Sequence, residues 1–179
     1  MNNNRKYKDS DTNGSMKYNY GNRFTSPEMY LEYSGDENDF YQAVIEFYGV
    51  DCTGPSYEGK VYVNNPNADE NTPSNEKNGY VGSYYVFGND GCWGGKGHCE
   101  AKFQRMYDSR KHSHIAPQYK FIDATKVLKK LARSKSNFTV TVVPRIGRDQ
   151  KMSNVKDVVK CQRIRVTCYE NPAELKQSA

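Results

Sequence analysis

Residues Phe40–Val50 read FYQAVIEFYGV, and the alternation within them decides the fold class. Tyr41, Ala43, Ile45 and Phe47 fall at every second position, with Gln42, Val44 and Glu46 between them. A period of two predicts a strand with one face turned to a core. Working outward, Met29–Tyr33, Lys60–Asn64, Tyr80–Phe87 and Tyr119–Ile122 read as further short strands. Phe138, Val140 and Val142 alternate with Thr139 and Thr141, and Ile164, Val166 and Cys168 alternate with Arg163, Arg165 and Thr167. One helix is predicted from Asp123 to Arg133, capped by Asp123 or Thr125, with Val127, Leu128 and Leu131 as its apolar stripe. About seven short strands, turn-rich spacers and one short helix predict an all-β, antiparallel Greek-key sandwich. Residues 1–25 are polar and nearly free of aliphatic side chains, and read as a flexible arm. The sandwich is expected over 26–170, with 171–179 a short tail.

Hydrophobic content of 36% and a mean hydropathy of −0.96 are low for a compact domain. Fifteen tyrosines offset this, because each buries a large ring while keeping a polar tip. The net charge of +5 is mild. Its densest basic runs (Lys126, Lys129, Lys130 and Arg133, then Lys160, Arg163 and Arg165) read as solvated faces, so no nucleic-acid partner is expected. No apolar run approaches the roughly 18 residues of a membrane span, and the first residues lack a hydrophobic signal core. A cytoplasmic protein, or one assembled into a particle, is the expectation. The sequons at Asn13 and Asn137 are then expected to go unused.

The stretch Tyr80–Cys99 is the densest in chemistry. It holds the only Trp, Trp93, with Cys92, His98, Cys99 and six of the fourteen glycines. Its second half predicts an irregular loop on a rigid strand, where binding residues tend to sit. Trp93, Gly94 and Gly95 are its contact residues. Cys92 and Cys99 enclose six residues, a pliant span that a disulfide would stabilise by about 2–3 kcal/mol. The competing reading is a copper site from His98, Cys99, His112 and His114, with Met106 or Met152 as an axial ligand. Against it, the next histidine after Cys99 is thirteen positions on, and the cupredoxin order of Cys, His and Met is missing. Zinc from Cys92, Cys99, His112 and His114 would need a spacing looser than usual. Cys168 is expected to be buried beside Val166 and Ile164, and Cys161 to share the face of Arg163 and Arg165, where it could meet Cys52. G-x-S-x-G, P-loop and H-E-x-x-H motifs do not occur.

Several segments in succession resemble a known family. Glu46–Asp51, Gly54–Gly59, Val61–Pro66, Gly79–Cys99, Asp108-x-Arg110, His112–Pro117 and Thr139–Pro144 are similar to the β-sandwich that follows the dicopper domain in bacterial tyrosinase-family proteins. That region is cupredoxin-like, or hemocyanin-C-like. The resemblance covers about residues 29–146 and implies the fold and an accessory role. Phenol oxidation is not implied, since six copper-ligating histidines are needed and the chain has three. Where the family commonly carries histidines, this chain has Cys52 and Asn89. The expectation is a non-catalytic structural or protein-interaction module that self-assembles or serves a larger oxidase. The alternative is a copper-binding protein for electron transfer or copper delivery.

Overall fold

A computed structural model describes residues 23–30, 40–88, 117–134, 137–146 and 158–170, and every structural statement below concerns these. Seven strands form two antiparallel sheets: β1 (Phe24–Thr25), β2 (Phe40–Val50), β3 (Tyr57–Val63), β4 (Tyr80–Val86), β5 (Gln118–Asp123), β6 (Val140–Ile146) and β7 (Arg163–Glu170). One sheet has the order β1-β6-β3-β4, and the other β5-β2-β7. A single helix, α1 (Thr125–Ser134), follows β5, and a 3-10 turn spans Glu76–Asn78. The all-β sandwich expected from the alternation is what the chain adopts.

The core lies between the sheets. Ala43, Ile45 and Phe47 of β2 meet Tyr57, Val61 and Val63 of β3, with Tyr84 and Val86 of β4, Val140 and Val142 of β6, and Ile164 and Val166 of β7. The Phe47 and Tyr84 rings cross the gap with centroids 4.9 Å apart. Gly59 makes room for this packing, since a Cβ there would stand 2.7 Å from the Tyr84 ring. Pro144 sits on β6 opposite Gly59 of β3, past the two residues that β1 pairs. A strand tolerates a proline where one side of its ladder is open. At the helix, Asp123 accepts hydrogen bonds from the Thr125 amide (2.9 Å) and hydroxyl (2.6 Å), and Leu128 is fully buried.

Four expectations change. Tyr41 does not face the core with Ala43; it is 48% exposed. Phe40 pairs with Glu170 and Gln42 with Tyr169, so Tyr41 is an extra residue that flips the alternation and sends Phe40 inward instead. Cys161 does not share the face of the arginines. It precedes β7 in irregular chain, where strand parity does not apply, and it is buried in the core with Cys52. Cys168 is half-buried at the core's margin, not enclosed. The first strand is Phe24–Thr25, with Met29 making one bridge to Phe138; residues 31–33 lie outside the described ones.

Candidate interaction face

The outer surfaces of the two sheets differ. Over the four-stranded sheet, the loop 64–79 folds back as a cover. Tyr62, Ala68 and Val143 form a small second core there, with the Tyr80 ring 5.5 Å from that of Tyr62. The Tyr62 hydroxyl donates to the Thr72 carbonyl (2.9 Å), and Arg23 donates to those of Asn67 and Ala68. Glu76 ties this loop to α1 through Lys126 and Lys130. Beyond the loop, Glu58, Lys60, Ser83 and Arg145 surround Tyr85, which is 58% exposed, and Phe87 just past β4 is 79% exposed.

The outer face of the three-stranded sheet carries planar groups. Register sets Glu46 of β2 between Phe121 of β5 and Arg165 of β7, and sets Tyr48 beside Arg163. From β7 to β5 the groups run in contact. The Arg163 guanidinium lies 5.8 Å from the Tyr48 ring centroid, Tyr48 lies 5.1 Å from Tyr119, and Tyr119 stacks on Phe121 at 6.0 Å. Tyr119 is 48% exposed and Phe121 62%. Exposed rings joined in this way are an interface composition, since aromatic residues and arginine are enriched at protein contacts.

Beneath the rings lies a carboxylate. Glu46 is only 6% exposed although its alternation turns it away from the core. One oxygen accepts the Tyr119 hydroxyl at 2.5 Å and the other accepts the Thr167 hydroxyl at 2.5 Å. The side chain therefore bridges all three strands and sets the Tyr119 ring. Burial, then the hydrogen bond to and charge of Glu46, hold the Tyr119 phenol above its ordinary range. Burial and the Glu46 charge push Tyr48 the same way, while Arg165 pulls it back. Gly49 ends the strip. Its φ of +63° allows the kink at which β2 loses register with β5, and the Gln162 side chain occupies the space that a Cβ would need.

Chemically this face is suited to contact. Both Glu46 oxygens are engaged by hydroxyls, and the neighbouring Tyr48 and Tyr119 phenols are held protonated by burial and by the Glu46 charge. The core end holds a second group: Tyr57, Tyr84, Cys52 and Cys161, all buried. Burial pushes the Cys161 thiol up to about 12 and raises both phenols. The Cys161 thiol and the Tyr57 and Tyr84 phenols are therefore protonated at neutral pH.

The sequence-predicted site residues Cys92, Trp93, Gly94, Gly95, His98, Cys99, His112 and His114 lie in 89–116, outside the described residues. The chain leading into that stretch is fixed by the Gly88 amide, which donates to the Ser56 hydroxyl at 3.0 Å. Among the described residues, no three His, Cys, Asp or Glu side chains gather in a way that could hold a metal, and no helix is long and apolar enough to cross a membrane. Sequence reading passed over the strip. One signal was available: a carboxylate, Glu46, set between Ile45 and Phe47 in the strand Phe40–Val50. Compared with family models and with curated proteins, the sequence matches none.

Proposed function

We propose that the chain is a non-catalytic β-sandwich module, of the Greek-key, cupredoxin-like kind, that acts as a structural or accessory protein by holding a protein partner. The contact surface is the outer face of the β5-β2-β7 sheet. One observation carries this reading: Arg163, Tyr48, Tyr119 and Phe121 form a connected strip across all three strands, with Phe121 62% exposed. The rings are positioned in advance by a buried carboxylate, so little ordering entropy is lost on contact. Buried aromatic and arginine anchors are the side chains that carry most binding energy in protein interfaces. The resemblance to tyrosinase-associated sandwiches points the same way, since an accessory domain works by covering another surface.

Photo-cross-linking tests this. Phe121 is replaced by p-benzoylphenylalanine in the chain expressed in its native host, and Tyr85 on the opposite sheet is replaced likewise as a control. The expected result is a discrete protein adduct from position 121 and none from position 85. Equal labelling from both positions, or none from 121, refutes the reading.

A further inference from the structure

We propose that Tyr119 is a one-electron donor site, a phenol that gives its electron to an outer-sphere one-electron oxidant in solution while its proton passes to Glu46. The site goes beyond the contact role and does not depend on what the face holds. Near neutral pH a phenol is oxidised by one of two routes. It sheds its proton to water first, or it gives up proton and electron together beside an acceptor already in place. The first route is poor for Tyr119, because burial and then its hydrogen bond to Glu46 hold the phenol above its ordinary range. The second is built into the face, since the Tyr119 hydroxyl donates to one Glu46 oxygen at 2.5 Å. A base must stand within hydrogen-bond reach of the proton it takes, and this one does.

The step balances. The Tyr119 O–H bond breaks, its proton forms an O–H bond on Glu46 Oε1, and one electron reduces the oxidant. What remains is a neutral tyrosyl radical beside a neutral carboxylic acid. The step removes a negative charge from a side chain only 6% exposed and creates none in its place. Burial disfavours charge, so the product suits its surroundings. Throughout, Glu46 Oε2 keeps the Thr167 hydroxyl at 2.5 Å, which holds the carboxyl in position. Electron and proton leave in different directions: the ring is open to an oxidant, while the carboxylate lies beneath it. Tyr41 supplies a comparison within the same chain. Both rings are 48% exposed, but among the described residues the Tyr41 hydroxyl donates to no carboxylate.

Flash photolysis of the full chain with tris(bipyridine)ruthenium(II) and a cobalt(III) ammine quencher tests this, since it delivers ruthenium(III), a one-electron oxidant. A nitroso spin trap captures the radicals, and peptide mass spectrometry locates the adducts. At equal exposure, Tyr119 is expected to carry about tenfold more adduct than Tyr41, as for a phenol with a positioned base. Its yield should hold constant between about pH 6 and 8, while that of Tyr41 rises as solvent bases take up its proton. Glu46→Gln keeps an acceptor of the same length but a far weaker base, and should bring Tyr119 down to the Tyr41 level. Circular dichroism establishes that this variant folds, and the comparison with Tyr41 in the wild-type chain stands without it. Three results overturn the proposal: equal adducts at positions 41 and 119 of the wild-type chain, a yield at 119 that rises with pH as at 41, or a folded Glu46→Gln chain that labels as before.

Discussion

Replacing Tyr119 with Phe deletes one oxygen atom and tests the arrangement that organises the strip. The ring keeps its neighbours, Tyr48 at 5.1 Å and Phe121 at 6.0 Å, so packing is nearly unchanged. What goes is the hydroxyl donated to Glu46 at 2.5 Å. Glu46 is 6% exposed, so water cannot readily replace that donor. Hydrogen bonds to charged groups contribute about 1.5–3 kcal/mol, against about 0.5–1.5 for neutral ones. Tyr119→Phe should therefore cost about 1.5–3 kcal/mol in the wild-type background and about 0.5–1.5 kcal/mol in a Glu46→Gln background. The assay is urea denaturation at pH 7 and 25 °C followed by far-ultraviolet circular dichroism. Thermal melts should show a fall of about 3–10 °C for the single variant. A cost below about 0.5 kcal/mol, or the same cost in both backgrounds, refutes the claim that the carboxylate holds the ring.

Other measurements follow from the core and the strand kinks. Tyr57 and Tyr84 are each 4% exposed, and burial raises both phenols above the ordinary value of 10.0. The unfolded chain gives up these protons above pH 10 while the folded chain keeps them, so the stabilisation is complete below pH 10 and is lost as pH rises. Each group then steepens the loss by about 1.4 kcal/mol per pH unit; denaturation at pH 9, 10.5 and 11.5 measures this, and a slope unaffected by Tyr57→Phe contradicts it. The Cys161 thiol, raised from 9.0 to about 12, has about a thousandfold less thiolate at neutral pH. Site-resolved iodoacetamide labelling should find it unreactive until urea unfolds the chain, and prompt labelling in the native state would disprove its burial. Gly49→Ala forces a side chain into the left-handed region at φ +63°, a cost of about 1–2 kcal/mol, readable as a lowered urea midpoint.

The fold was largely legible because a period of two survives in short strands. Phe40–Val50 is the strand its alternation predicts, and Tyr80–Val86 and Gln118–Asp123 fall within a residue or so of their expected ends. Parity failed where the backbone slips. One inserted residue turned Tyr41 outward, and the irregular chain before β7 turned Cys161 inward. β1 was illegible because two residues carry no period; Ser26 and Thr25 hold it instead, the latter with its hydroxyl 3.2 Å from that of Thr141. The strip was hidden for a different reason. Residues 48, 119, 121 and 163 are scattered along the chain, and only the register of three strands brings them together.

The two outer faces fix their aromatic rings in different ways. The four-stranded sheet spends a loop, 64–79, to bury Tyr62 and to satisfy its hydroxyl through Thr72. The three-stranded sheet leaves Phe121 and Tyr119 open to water, yet it engages a buried carboxylate to hold one of them still. Burying Glu46 carries a desolvation cost that an apolar residue would avoid, and such a cost is commonly offset by geometric definition more than by stability. Here the definition falls on a ring whose neighbours face outward. A phenol oriented by a satisfied acceptor is a poor acid and a good platform. Glu46 is, in this setting, the acceptor that fixes the Tyr119 ring on the outer face.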